Sequence, residues 1–218
     1  MNIACVKWGD KYSAEYVNKL YSMVAANAPS AFVFYCYTED PSGIIPEVKI
    51  IPIDSTLTHW WLKLDLLNKF TEGDTIVLDL DIVILNKLER LFGTSTRTLT
   101  VLYSQWKEGY VNGAERFPTL YNSSIMKWHG DQGKAVCDYF QLQREMILFK
   151  YSGIDRYMFN EPVHVDLFPT SIAYSYWKGV RFMKDTTPQK LREDYEVCIL
   201  NHGDKQDTLD TWVREYWK

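Results

Sequence analysis

Residues 75–85 read Thr-Ile-Val-Leu-Asp-Leu-Asp-Ile-Val-Ile-Leu, with two carboxylates set inside an otherwise apolar, β-branched run. Such a run is the pattern of a strand buried on both faces, and charge in that setting carries a desolvation penalty of several kcal/mol. If the strand ran on through Asp79 and Asp81, alternation would put both side chains on one side, each raising the other's pKa. The pair is tolerable if the strand ends there and a divalent cation sits between the acids. Asp79 and Asp81 are therefore candidate metal ligands. An ion held by them suits the two phosphates of a diphosphate group, whose developing charge it would neutralise as a Lewis acid.

A third candidate ligand stands far downstream. His202 follows an apolar run and precedes Gly203, so it can turn toward the open end of a sheet. Two carboxylates and an imidazole make a mixed oxygen and nitrogen set, which suits Mn²⁺ better than Mg²⁺ or Ca²⁺. The competing reading of His202 is a surface or capping histidine. His59, His129 and His164 have no such context and read as structural or exposed. Lys63 lies on a helix that precedes the acidic motif. It either reaches a phosphate or sugar as a point charge or sits on that helix's solvated face. Asn122 and Ser123 put short polar groups into an apolar stretch, which suits hydrogen bonds to sugar hydroxyls.

The elements that must position these residues begin with a strand over Ile3–Trp8, ended by the turn signal Gly9-Asp10. A helix follows with Ser13 as N-cap, Glu15 in its first turn, and Tyr16, Val17, Leu20, Tyr21 and Val24 at helical spacing. Ala31–Tyr37 and Val48–Ile53 read as strands, Trp60–Phe70 as a helix with Gly73 as its C-cap, and Ile76–Leu78 as the central strand. This βαββαβ order predicts an α/β fold with a mixed, mostly parallel sheet. Ligands of such sheets bind beyond the carboxyl ends of the strands, where Trp8-Gly9-Asp10 and Asp79–Asp81 can converge. Farther on, Thr98–Tyr103 and Ser123–Trp128 read as strands and Gln132–Phe149 as a long helix. Asp155–Asn160 reads as a short helix, Pro162–Leu167 and Glu196–Leu200 as strands, and Thr208–Trp217 as a closing amphipathic helix. No linker or repeat interrupts the chain. It reads as one domain over 1–218.

The bulk composition excludes several classes. A net charge of −4 gives no basic field for nucleic acid, and Lys184–Arg192 reads as a solvated surface. There is no apolar run of about 18 residues to span a bilayer, and no secretory signal in Met1–Asp10. The four cysteines form no CxxC pair, and three of them lie in apolar strand-like surroundings, so they read as reduced thiols. A soluble cytoplasmic protein is the expectation. Aromatic residues make up 15% of the chain, enough to fill the core and also stack on a ligand.

With these residues in view, the chain resembles the GT-A-fold glycosyltransferases, similar to family 8 and its small bacterial and phage relatives. The resemblance runs through nearly the whole chain. Val6-Lys7-Trp8-Gly9-Asp10-Lys11-Tyr12 resembles the first-strand loop that holds the nucleotide base, and Trp60-Trp61-x-Lys63-Leu64 the helix before the metal motif. Asp79-Leu80-Asp81, within Gly73-Asp74-Thr-Ile-Val-Leu-Asp-Leu-Asp, resembles the metal motif itself. Tyr121-Asn122-Ser123-Ser124-Ile125-Met126 resembles a strand of the acceptor half, and Cys198–Gly203 the segment with the metal-binding histidine.

The resemblance implies a single-domain, Rossmann-like fold, with a nucleotide-binding half over about 1–85 and an acceptor half over about 86–218 that carries the C-terminal metal-ligand segment, and a hexosyltransferase-type enzyme. The donor would be a nucleotide-diphosphate sugar, UDP-linked, and the acceptor hydroxyl is unidentified. Asp79, Asp81 and His202 would hold Mn²⁺, with Mg²⁺ as the alternative ion. Val6, Trp8, Tyr12, Lys63, Asp79, Leu80 and Lys205 would bind the donor, and Ser123 and Asp155 the acceptor. Asn122 and Asp155 would serve catalysis, Asp155 having an N-cap as its competing reading, and the anomeric configuration would be retained. The chain departs from the pattern after His202, where the spacing is tighter and Lys205 is followed by Gln206 rather than proline. Two other readings stand beside this one. Asp79-x-Asp81-x-Val83 also satisfies the nucleophile pattern of haloacid dehalogenase-like phosphatases, and an inactive sugar-nucleotide- or glycan-binding relative would share the same motifs.

Overall fold

The structure, a computed structural model, describes residues 1–108, 119–200 and 211–218. The first eighty residues form β1 (Asn2–Lys7), α1 (Ala14–Asn27), β2 (Val33–Thr38), β3 (Lys49–Pro52), α2 (Lys63–Lys69) and β4 (Asp74–Leu78), the βαββαβ order read from the sequence. β1 lies between β2 and β4, and β2 pairs β3, all in parallel. Then come β5 (Ile82–Ile84), α3 (Glu89–Gly93), β6 (Thr100–Tyr103), β7 (Tyr121–His129), α4 (Lys134–Leu142) and α5 (Arg144–Lys150). The chain ends with α6 (Ile154–Asn160), β8 (Asp166–Leu167), β9 (Ala173–Ser175), α7 (Pro188–Asp194), β10 (Val197–Ile199) and α8 (Thr211–Tyr216).

Among the described residues the strands make two sheets, ordered β3-β2-β1-β4-β7-β6-β8 and β5-β10-β9. β7 runs antiparallel to both β4 and β6, so the larger sheet is mixed. Its two faces are read directly by alternation. Ile3, Cys5, Phe34, Cys36, Ile76 and Leu78 point into a core shared with α1 and the smaller sheet. Ala4, Tyr37 and Val77 point the other way, into a core filled by α2, α4, α5 and α6. Both faces are buried, which is why these strands read as nearly continuous apolar runs. The four cysteines are free and buried.

Several local expectations are corrected. Ser13 occupies the N-cap of α1, but its side chain makes no capping bond; its backbone carbonyl accepts from Tyr16 N–H at 3.1 Å. Gly73 is not the C-cap of α2, which is Phe70. With φ of +66°, Gly73 turns the chain into β4 instead, its carbonyl accepting from Gly130 N–H. The helix expected from Trp60 starts as a 3₁₀ turn, His59–Leu62, before α2. The long helix expected over Gln132–Phe149 is broken at Gln143 into α4 and α5. The strand expected over Pro162–Leu167 shrinks to Asp166–Leu167. A π-helical turn at Trp177–Met183 and the helix α7 were unforeseen, though Thr187-Pro188 announces the latter: the Thr187 hydroxyl accepts from Lys190 N–H with Pro at the first turn.

Candidate active site

The acidic motif is the step between the two sheets. β4 ends at Leu78 and β5 begins at Ile82 in the smaller sheet, leaving Asp79-Leu80-Asp81 to carry the chain across. Both ends of the step are pinned: Asp79 N–H donates to Ser124 O of β7 at 2.9 Å, and Leu200 N–H, just past β10, donates to Asp81 O at 2.9 Å. Leu80 is buried in the core on the α1 side. No continuous strand passes through the acids, so the same-side alternation does not apply.

Each carboxylate is answered from a different layer. Lys63 Nζ, on α2, lies 2.6 Å from Asp79 Oδ1. The Tyr12 hydroxyl, from the loop before α1, donates to Asp81 Oδ2 at 3.2 Å. Burial, with the Asp79 charge beside it, still pushes the Asp81 carboxyl up to about 6. Lys63 pairs with Asp79, and the Lys11 charge also acts on Asp81; the two carboxylates supply hard oxygen donors of the kind that Mg²⁺ and Mn²⁺ prefer. The residues present fit a divalent ion.

The acids stand at the floor of an open cleft of about 320 Å³. Its walls are the β1–α1 loop from Val6 to Tyr12, the turn at His59 and Trp60, and Lys63. The carboxyl ends of the adjacent parallel strands β1 and β4 thus meet, as the strand order requires. Gly9 makes the turn possible: its φ is +65°, and its N–H donates to Glu39 Oε1 at 2.5 Å.

The sequence-derived site residues divide three ways. Val6, Trp8, Tyr12, Lys63, Asp79, Leu80 and Asp81 line the cleft. Lys63 does so without a free solvated head: it is buried, and its ammonium also donates to Ser123 O at 2.8 Å and Ser123 Oγ at 3.3 Å. Asn122, Ser123 and Asp155 are not among the lining residues. Asn122 Oδ1 accepts from Ser124 N–H at 3.0 Å, and Asp155 Oδ1 accepts from Ser123 N–H at 2.9 Å. A register shift between β6 and β7 leaves Ser123, Ser124 and Ile125 without β6 partners, while Asn122 stays opposite Leu102, and Ser123 meets both Lys63 and Asp155. Asp155 is also not the N-cap of α6, which is Gly153. His202 and Lys205 lie outside the described residues.

Five further residues line the cleft, Gly9, Asp10 and Lys11 of the β1–α1 loop and His59 and Trp60, and sequence reasoning gave none of their side chains a role in the site. Lys11 Nζ sits 4.6 Å from the Tyr12 ring centroid, a cation beside the aromatic face. His59 holds a left-handed backbone with φ of +55°. That strain has no signature in composition; only the run His59-Trp60-Trp61, with more aromatic surface than one buried helix face can absorb, hinted at it.

No protein-family model and no curated protein matches the chain. Solved structures do. The galactosyltransferase LgtC, in complex with donor and acceptor sugar analogs, superposes with a TM-score of 0.63 at 14% identity, over 99% of this chain and 94% of LgtC. The glycosyltransferase GlyE of Streptococcus pneumoniae TIGR4 reaches 0.70 at 11% identity, over 99% of this chain and 60% of GlyE. The chain has the GT-A glycosyltransferase fold. Mouse xyloside xylosyltransferase 1 superposes more loosely, at 0.54 and 11% identity, over 92% of this chain and 98% of that one. At these identities the likeness is one of fold. Among the described residues no helix is long and apolar enough to cross a membrane.

Proposed function

We propose that this protein is a metal-dependent glycosyltransferase of the family 8 type. It would move a sugar from a nucleotide-diphosphate donor, UDP-linked by resemblance, to an acceptor hydroxyl. The observation that carries the reading is the placement of Asp79 and Asp81 where the chain crosses between sheets, at the floor of a cleft whose other walls include Tyr12 and Lys11. Neither acid is held in a strand, and both line the cleft.

Asp79 and Asp81, joined by His202, would hold Mn²⁺ or Mg²⁺, which when bound neutralises charge on the diphosphate. The chain's own groups do the rest. The Tyr12 ring offers a stacking face for the base, the Val6–Tyr12 backbone supplies polar groups to its edge, and Lys11 adds positive charge beside the phosphates. Lys63 keeps Asp79 oriented; it holds the carboxylate rather than the donor. Lys205 would steady the diphosphate. In the transfer, the bond from C1 to the diphosphate oxygen breaks with its electron pair leaving on the diphosphate. The acceptor oxygen bonds to C1 and passes its proton to the departing diphosphate oxygen, with retention as the family resemblance implies. Asn122, Ser123 and Asp155 act behind the cleft as positioning residues.

The test is donor hydrolysis: UDP-glucose and UDP-galactose incubated with the full chain and Mn²⁺, with release of UDP followed. Hydrolysis that EDTA abolishes and Asp81→Ala removes supports the reading. No UDP release and no UDP binding with any ion would refute it.

A further inference from the structure

Beside the two acids the cleft carries an aromatic wall of which the donor reading uses Trp8 but neither His59 nor Trp60. Trp8 and His59 lie with ring centroids 4.2 Å apart, and His59 and Trp60 with centroids 5.3 Å apart and planes 30° from parallel. All three line the cleft. Trp60 is 49% exposed, whereas the next residue, Trp61, is 7% exposed and packs into the core on the α2 side. Trp60 is therefore not part of the interior; it is presented.

Two features hold it there. The left-handed backbone of His59 (φ +55°) swings the turn outward at the start of the 3₁₀ segment; strain of this kind in a non-glycine residue persists where the surroundings impose it. On the far side, Gly153 at the N-cap of α6 makes room for the indole: a Cβ there would stand 3.2 Å from Trp60 Nε1. Trp8 packs against the α2-side core and backs His59.

Flat aromatic faces are electron-rich and complement the electropositive C–H face of a pyranose. A nucleobase would stack equally well, but a nucleotide donor brings one base, and Tyr12, which packs against the α1-side core and lines the same cleft, already offers it a face. We infer that His59 and Trp60, backed by Trp8, form a platform for a pyranose ring of the acceptor, so that the acceptor is itself a glycoside or glycan. This rests on the glycosyl-transfer reading.

The experiment uses methyl β-glucopyranoside, methyl β-galactopyranoside and methyl N-acetyl-β-glucosaminide as probes. Binding to the full chain is followed by saturation-transfer NMR and titration, and UDP with Mn²⁺ is titrated separately. At least one pyranoside should bind, with saturation strongest on the protons of one ring face. Trp60→Ala should weaken that binding by roughly tenfold while UDP affinity stays within about twofold, and Trp60→Phe should keep most of it. The platform is wrong if none of the pyranosides binds the parent, or if Trp60→Ala lowers UDP affinity and leaves the pyranoside untouched. Pyranoside binding without any UDP binding would instead sink the transfer reading and leave the platform standing.

Discussion

The Lys63 ammonium lies 2.6 Å from Asp79 Oδ1 and donates at the same time to the Ser123 carbonyl at 2.8 Å. One buried cation on α2 thereby ties the acidic step to β7, and beyond it, through Ser123 N–H and Asp155, to α6. Lys63→Met should leave Asp79 without its counter-charge and the Ser123 carbonyl without its donor. Breaking a buried pair costs about 3–5 kcal/mol, and the partial exposure of Asp79 brings this to roughly 2–3 kcal/mol. The melting temperature should fall by several degrees in EDTA, and Mn²⁺ should restore more of it in the variant than it adds to the parent. Equal melting curves for the two proteins in EDTA would show that the pair contributes nothing.

Asp81 titrates where a pH experiment can see it. Its carboxyl is pushed up to about 6 by burial and by Asp79, above the unfolded value of about 3.9. The folded protein thus binds more protons than the unfolded chain between those values, and metal-free stability falls as pH rises through that window. The penalty is fully present above it. Asp81→Asn should accordingly stabilise the metal-free protein by roughly 1–3 kcal/mol at pH 8 and hardly at all at pH 4. Thermal melts at the two pH values read this directly. A variant that is stabilised equally at both would contradict the assignment of the shift to Asp81.

Tyr12→Phe keeps the ring and removes the hydroxyl that donates to Asp81. That hydrogen bond lowers the Asp81 pKa against the larger effect of burial, so its loss should move the acid limb of Mn²⁺ binding to higher pH while UDP stacking persists. Calorimetric titrations of Mn²⁺ across pH 5–8 check it. A limb that stays in place would mean the hydroxyl does not reach the carboxylate in solution.

Glu196 tests stability away from the cleft. Its buried carboxylate accepts from Arg90 N–H at 2.7 Å and Leu91 N–H at 2.9 Å, capping the short helix α3, and also from Arg90 Nε at 3.2 Å. Glu196→Gln should cost about 1–3 kcal/mol and leave UDP and Mn²⁺ affinities as they were. Chemical denaturation beside ligand titration separates the two effects.

The first eighty residues were legible because their information is local. β1, α1, β2, β3 and β4 each carry their own periodicity and turn residues, and the acids announce themselves by interrupting an apolar run. What the sequence could not show were contacts made across long separations. Lys63 reads as a surface or phosphate-seeking lysine until α2 lies over β4 and its ammonium meets Asp79. The break at Gln143 is invisible because no Gly or Pro lies between 134 and 150 and the buried positions Cys137, Phe140 and Ile147 keep helical phase across it. Asn122 and Ser123 look like sugar-binding groups in a strand, yet Asn122 Oδ1 is taken up by Ser124 N–H and Ser123 by Lys63 and Asp155. His59 reads as structural or exposed and is exposed, but its left-handed φ and its place on the cleft leave no mark in residue type.

The central claim is that Asp79 and Asp81 form a metal-dependent site for a nucleotide diphosphate, and calorimetric titration of UDP tests it most directly. With Mn²⁺ present the parent should bind UDP, and with EDTA, or in Asp81→Ala with Mn²⁺, binding should fall by at least about tenfold. UDP affinity that is the same in Mn²⁺ and EDTA, and unchanged in Asp81→Ala, would contradict it.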